Sequence, residues 1–349
     1  MSQSHRSVAE SAKAHAPLRV LLISNAGSGQ NRRDFAAFEQ RIQRYPWVSH
    51  VTTNSPEEAD ACLAAWRDAP PDYLIVNGGD GTAAHIFGLV LTLWTPEQRP
   101  PLVVLPGGTA NMTAGDLGLS GSRKKALKRL FRWLDRGCRE AGSSSQRWVM
   151  RLEPYPGAKV HHGVFLGAGV IVQATQYAHQ SIHSRGLGGG ISLGLVLLRT
   201  VWGLIHRDPH FYQSLGLDFT FEQARTGGAP EAEPTRFSGH LKMVILVASS
   251  LERLFLGINP FWVGGRQPLR LTFVDEGATR FLSTFSSIIR GRANRHAQPQ
   301  NGYQSYRAEQ ALISFDGQFN MDGEIIEVSR ARGPAQLSAE GPLNFVRPR

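Results

Sequence analysis

The sequence predicts an α/β N-terminal half followed by a β-rich C-terminal half, and three observations carry that reading. From Leu18 to about residue 140, short apolar runs that end in glycine turns alternate with helical stretches. That is the pattern of a parallel sheet packed by helices. Small polar residues cluster over 141–145, and after them the chain changes to short strands in succession. At roughly 100–200 residues per domain, 349 residues also make two domains the expected number.

Residues 1–17 are polar, lack an apolar signal core and are expected to be a disordered tail. Arg19-Val20-Leu21-Leu22-Ile23-Ser24 reads as a buried parallel strand. A helix is expected over 34–44 and a β-branched strand over 48–53. The helix expected over 56–66 opens with Glu57 and Glu58, which suit the positive end of a helix. Tyr73 to Asn77 is the third strand, Ala83 to Leu93 an apolar helix, and Leu102 to Leu105 the fourth strand. Residues 141–145 are expected as the linker between domains over 18–140 and 146–349. Strands are then expected over 148–152, 161–166, 211–221, 241–249 and 269–274, from Ala311 through Val328, and at Phe345. An apolar helix over 191–205 interrupts them. The Gly- and Pro-rich stretch over 226–234 reads as a loop.

The net charge of +10 points to anionic partners, whether nucleic acid, an anionic membrane or phosphorylated small molecules. Charge alone does not choose among them. Two cysteines, Cys62 and Cys138, exclude a disulfide framework and suit a reducing compartment. No stretch reaches the roughly 18 apolar residues of a membrane span. The run over 191–205 is broken by Arg199, so a soluble or peripheral protein is expected.

Three strand ends carry glycine turns: Asn25-Ala26-Gly27-Ser28-Gly29, Gly78-Gly79-Asp80-Gly81-Thr82 and Pro106-Gly107-Gly108-Thr109-Ala110-Asn111. In an open α/β sheet, ligands sit outside the carboxyl ends of the strands, so all three turns lie on the ligand edge. Glycine lets backbone N–H groups approach phosphate oxygens, and the following helix adds its positive end. Ser28, Thr82 and Thr109 add hydroxyl donors. Asp80 would repel phosphate unless a cation intervenes, so it is a candidate for magnesium or for orienting the loop. No Gly-x-x-x-x-Gly-Lys-Ser/Thr is present, which excludes a Walker-type loop.

From about Arg19 to Val328 these motifs resemble the diacylglycerol kinase catalytic family, which includes sphingosine and ceramide kinases. The first turn is similar to Asn-Pro-x-Ser-Gly, with Ala26 for Pro. The second is the family's Gly-Gly-Asp-Gly-Thr. The third is similar to Pro-x-Gly-Thr-x-Asn and continues to Asp116-Leu117-Gly118. Thr53 stands where the family has a nucleotide-contacting threonine, and Asp322-Gly323-Glu324 resembles its Asp-Gly-Glu. The chain departs from many members at Ala84, His85 and Met112. Over 263–269 it also lacks the aspartates of a second, structural magnesium loop.

The resemblance implies an N-terminal ATP-binding domain similar to phosphofructokinases and NAD kinases, a C-terminal β-sandwich, and a lipid entering between them. The implied reaction moves the γ-phosphate of ATP to a hydroxyl of diacylglycerol or of a sphingoid- or ceramide-like lipid. ATP contacts would come from Asn25, Ala26, Gly27, Ser28, Gly29, Thr53, Gly78, Gly79, Asp80, Gly81, Thr82, Gly108, Thr109 and Asn111. Asp80 and Asp322 would hold Mg2+. Glu324 would accept the hydroxyl proton, with Asp322 orienting it and Asp80 a rival base. If the Asp322–Glu324 triplet is extended, both carboxylates share one face; an acidic turn is the other reading.

The implied partner is lipid at an anionic membrane surface, with the protein cytoplasmic and peripheral on the inner face. Two basic clusters could meet it. In one, Arg123, Lys124, Lys128, Arg129 and Arg132 lie opposite the core-facing Leu127, Leu130, Phe131 and Leu134 of one helix. The other comprises Arg290, Arg292, Arg295 and His296. His161 and His162 open a strand and read as structural. No basic region interleaved with exposed aromatics marks a nucleic-acid site. An NAD kinase and a catalytically inactive lipid- or nucleotide-binding protein are the alternatives. Which lipid is used and the oligomeric state, a homodimer among the options, stay open.

Overall fold

The structure is a computed structural model that describes residues 18–139, 142–185, 198–204, 206–223 and 235–349. The expected tail over 1–17, the loop over 226–234 and most of the apolar helix over 191–205 lie outside these residues. Residues 198–204 of that helix are helical.

Four parallel strands form the N-terminal sheet: β1 (Val20–Asn25), β2 (Val48–Thr53), β3 (Tyr73–Gly78) and β4 (Leu102–Pro106). Their order is β4-β3-β1-β2. Helices α1 (Asn31–Ile42), α2 (Pro56–Ala64), α3 (Asp80–Leu93), α4 (Met112–Asp116) and α5 (Arg123–Asp135) accompany them. Strand residues alternate between two cores. Leu21, Ile23, Leu74 and Val76 face Ile86, Phe87 and Val90 of α3. Val20, Leu22, Ile75 and Val103 face Phe38 of α1 and Phe131 and Leu134 of α5. Cover on both faces explains why these strands are apolar without alternation.

The strand-rich half comprises β5 (Ser143–Glu153), β6 (His161–Gly163), β7 (Phe165–Gly169), β8 (Leu215–Gln223), β9 (Thr235–Ser249), β10 (Leu269–Asp275), β11 (Tyr303–Ala308), β12 (Gln310–Ser314), β13 (Gly317–Met321), β14 (Glu324–Val328) and β15 (Ala335–Arg347). Helices α6 (Val170–Arg185) and α7 (Phe281–Ile288) break the series. The named strands of this half pair antiparallel with one another, and inward residues such as Leu166, Leu246, Phe273, Phe319 and Leu337 build a core of its own. β15 ties the halves together. It pairs with β5 along its length and meets β4 at Phe345↔Leu102. Leu343 and Phe345 enter one α/β core and Val346 the other.

Several expectations change. Residues 143–145 of the expected linker are strand, paired with Arg347, Val346 and Phe345. Serine-rich composition resembles a linker, but ladder hydrogen bonds come from the backbone and do not read side chains. Helix α3 starts at Asp80 rather than Ala83, because Asp80-Gly81-Thr82, which reads as part of the turn, forms the first helical turn. Strand β8 begins at Leu215, and Phe211 before it is a buried core residue. Helices α6 and α7 and strand β11 have no counterpart in the sequence expectation. The β-branched start of α6, Val170-Ile171-Val172, hides a helix.

Candidate active site

The three glycine turns converge at the carboxyl edge of the parallel sheet and touch one another. A Cβ on Gly108 would stand 2.5 Å from the Cα of Gly79, and one on Gly29 would stand 2.6 Å from Thr109 Oγ1. Glycine is therefore required first so that the turns can pack together. Backbone and amide bonds lock them. Gln30 N donates to Gly107 O at 2.8 Å. Asn31 Nδ2 donates to Asn25 O and Asn77 O, at 2.7 and 3.0 Å. Asn25 Nδ2 donates to Thr82 Oγ1 at 3.0 Å. The first N–H groups of α1 are taken by carbonyls of the turns, Asn31 N by Gly107 O and Arg32 N by Ser28 O, whereas α3, which has no side-chain cap, points its N-terminus at whatever the turns hold.

Asn111 and Asp80 serve the architecture of the site. Asn111 has a left-handed backbone. Its side chain closes the third turn, accepting from Gly108 N at 2.7 Å and donating to Gly108 O at 2.9 Å. Asp80 is buried, and its Oδ1 accepts the Thr113 N–H of α4 at 2.8 Å. It thereby ties the second turn to the third. Thr53 is buried beside Asn25, with which it is in register. Asp116, at the end of α4, accepts from Glu252 N at 2.9 Å, and burial raises its carboxyl above the usual range.

The Asp322–Glu324 triplet is not extended. Asp322 and Gly323 both have positive φ, and Met321 pairs with Glu324, which makes a two-residue hairpin turn between β13 and β14. The acidic turn is thus the geometry found, and the two carboxylates separate. Glu324 is 64% exposed, 3.4 Å from His161 Nδ1. The Asp322 carboxylate is buried. Its Oδ2 accepts Val164 N–H at 2.7 Å, and among the described residues its Oδ1 has no hydrogen-bond partner. Burial and the neighbouring charge of Asp80 hold its pKa well above the carboxylate range. The turn sits on the glycine loops, since a Cβ on Gly81 would lie 3.5 Å from Asp322 O.

Two nearby carboxylates with an orphaned buried oxygen fit a cation that would neutralise both. Mg2+ commonly takes one or two carboxylates and completes its shell with water and substrate phosphate. Among the described residues, no group of three or more His, Cys, Asp or Glu gathers as a metal site. The residues present therefore suit a metal that arrives with phosphate. In the 263–269 loop, Arg307 donates to Val263 O and Gln267 O at 3.2 and 2.9 Å.

Several site residues escape sequence reasoning. Arg123 is buried rather than part of an exposed basic face. Its Nε meets both oxygens of Asp34, and Nη1 donates to Asn77 Oδ1 and Pro106 O at 3.1 Å each. The guanidinium thus fastens the ends of β3 and β4 to α1. Beneath the turns, Ser24 Oγ accepts from Asn77 Nδ2 at 3.0 Å and lies 3.0 Å from His50 Nε2. His161 meets Glu324, and His162 lies 2.9 Å from Glu340. At the departures from the family pattern, Ala84 is buried in α3 and His85 pairs with Asp60 of α2 at 2.7 Å. Met112 packs against the α3-side core.

Comparisons with known proteins place this geometry. A structure of a diacylglycerol kinase from Bacillus anthracis str. Sterne matches with a TM-score of 0.57 at 16% identity, covering 94% of this chain and 96% of that one. A second structure from the same organism, for which that enzyme name is a provisional designation, matches with a TM-score of 0.60 at 18% identity over the same shares. At these identities the likeness is one of fold. No curated protein matches the sequence. The profile described as diacylglycerol kinase catalytic domain matches residues 17–137, the segment that carries all three glycine turns. Residues 17–137 belong to the diacylglycerol kinase catalytic domain family.

Proposed function

We propose that the protein is an ATP-dependent lipid kinase that phosphorylates a hydroxyl of diacylglycerol or of a sphingoid- or ceramide-like lipid at a membrane surface. One observation carries this reading: the glycine turns of the kinase-family segment pack against a buried carboxylate, Asp322, supplied from the other half of the chain. The turns would offer backbone N–H groups and the N-terminus of α3 to a triphosphate. Asp80 and Asp322 would bring two carboxyl groups beside it. Mg2+ held by those two carboxylates would offset the phosphate charge. Glu324, exposed at the same turn and 3.4 Å from His161, would accept a proton from a hydroxyl arriving from solvent or lipid. The family setting favours cytoplasmic residence and peripheral attachment to the inner face. Among the described residues, no helix is long and apolar enough to cross a membrane.

The test is phosphate transfer from labelled ATP to a panel of diacylglycerol, monoacylglycerol, sphingoid base, ceramide and NAD. Transfer to a lipid alone supports the reading, and transfer to NAD alone overturns it. Glu324→Ala is expected to abolish transfer while ATP binding persists. Normal turnover in that variant would remove Glu324 from its role.

A further inference from the structure

We propose that the face formed by α7, the arginine loop after it and helical residues 198–204 docks onto an anionic lipid bilayer. The inference deepens the lipid-kinase reading and rests on it. Leu198, Trp202 and Leu282 are 67%, 62% and 59% exposed. A single exposed leucine needs no explanation, but large exposed apolar side chains on two elements that line one cavity do. Leu198 and Trp202 stand four residues apart and share a helix face. The opposite side of that helix carries the buried Thr200 and Leu204.

Leu204 and Leu282 line one cavity of about 630 Å3, together with Val244 and Phe281, so the two elements flank its mouth. On α7, Phe281 and Phe285 stack at 5.1 Å and are only partly buried. Trp and Phe at this depth suit the boundary between headgroups and acyl chains. Asp275 and Glu276 also line the cavity, and Glu276 accepts from Ser214 at 2.9 Å.

From Arg280 through the loop after α7 to Gln300 every charged residue is basic, and the acids of the cavity lining, Asp275 and Glu276, precede this stretch in sequence. Arg280, Arg290, Arg292 and Arg295 are exposed. Arg280 and Arg295 turn to His296, and Arg290 donates to Ser286 O at 2.5 Å. Among the described residues, no carboxylate lies within ion-pair distance of any of the four. Such arginines are matched by phosphate headgroups, while the apolar side chains between them enter the acyl boundary. The exposed lysines of α5 form the competing basic face. There the apolar side, Leu130, Phe131, Trp133 and Leu134, is consumed by the protein core and leaves nothing to insert.

The experiment is co-sedimentation of the full chain with phosphatidylcholine vesicles, with and without phosphatidylglycerol. Wild type is expected to bind only the anionic vesicles. The pairs Trp202→Glu with Leu282→Glu, and Arg292→Glu with Arg295→Glu, are each expected to weaken binding roughly tenfold or more. Lys124→Glu with Lys128→Glu should change it far less. Trp202→Ser with Leu282→Ser is a milder apolar pair, and thermal melts show that each variant folds. The proposal is overturned if wild type ignores anionic vesicles, if only the α5 pair loses binding, or if the docking variants bind as wild type does. It is equally overturned if duplex DNA displaces the vesicles and the arginine pair governs DNA binding instead. Turnover on lipid in detergent micelles separates the two readings. Micellar turnover in wild type and variants, with vesicle binding unchanged, removes the docking face and keeps the kinase. Absence of turnover in wild type, with vesicle binding lost in the docking variants, removes the kinase and keeps the docking face.

Discussion

The contact between the second and third glycine turns makes a graded test. In Gly108→Ala the new methyl would stand 2.5 Å from the Gly79 Cα, which is backbone and has no rotamer with which to escape. Ordinary carbon contacts lie near 3.5–4.0 Å, so the turns must part by about 1 Å. Overpacking of this kind costs about 1–3 kcal/mol in stability. A displacement of about 1 Å in groups that position a substrate can cost about 10²-fold in rate. Gly79→Ala points its methyl at the Gly108 Cα from 3.4 Å, a clash of only a few tenths of an ångström. Gly115→Ala meets nothing within 4 Å. The expected order of damage is therefore Gly108, then Gly79, then Gly115, which should be silent. Titration calorimetry with an ATP analogue and lipid-kinase turnover measure the series, with thermal melts to separate folding from function. A Gly108→Ala protein that binds nucleotide and turns over like wild type would show that the two turns do not act as one cradle.

Three further outcomes follow from buried groups. Arg123→Lys replaces a fork that reaches Asp34, Asn77 and Pro106 with one ammonium. It should cost about 2–3 kcal/mol in urea denaturation, discounted because Asp34 is partly exposed. An unmoved midpoint would mean the guanidinium does not fasten the strand ends. Burial lowers the pKa of His50, against a smaller opposing effect of Glu39. Its contribution is therefore complete above the unfolded value of about 6.5 and is lost as pH falls through the lowered folded value. Removing the imidazole in His50→Asn should flatten the loss of stability below neutral pH, measured by melts on either side of that window; an unchanged slope counts against His50 as its source. Burial pushes the Cys138 thiol to about 12, so a maleimide should label Cys62 in the native protein and Cys138 only on unfolding. Prompt native labelling of Cys138 would contradict its burial.

The sheet and the glycine turns were legible because their signals are local. A continuous apolar run marks a covered parallel strand, and glycines directly after it mark the ligand edge, all within about ten residues. What escaped was set by distant partners. Arg123 looks like its neighbours Lys124 and Lys125 in sequence, and only the register of α5 turns it inward to the ends of β3 and β4. The extended reading of the Asp322–Glu324 triplet failed because Asp322 answers to the Val164 N–H, more than 150 positions earlier in the chain. The serines before Gln146 looked like a linker because their pairing partner, β15, is the last strand.

The distant contacts also show how the halves are joined at the candidate site. Segment His161–Val164 meets both. Val164 N–H holds the Asp322 carboxylate, and Gly163 leaves the room for it, since a Cβ there would stand 2.5 Å from Oδ2. His161 reaches Glu324, the other carboxylate of the same turn. His162 packs so closely on α3 that a Cβ on Gly88 would lie 2.7 Å from its Nδ1, and its other ring nitrogen meets Glu340 of β15. The helix that begins at Asp80 and the hairpin turn that carries Asp322 therefore meet beside one short segment that packs on both. Contacts of that segment with Asp322, Glu324 and α3 hold the turn against the start of α3. A side chain at Gly163 would stand 2.5 Å from Asp322 Oδ2 and 2.8 Å from the core residue Met321, and so would expel the Asp322 carboxylate from beside Asp80 while pressing on the core beneath the same turn.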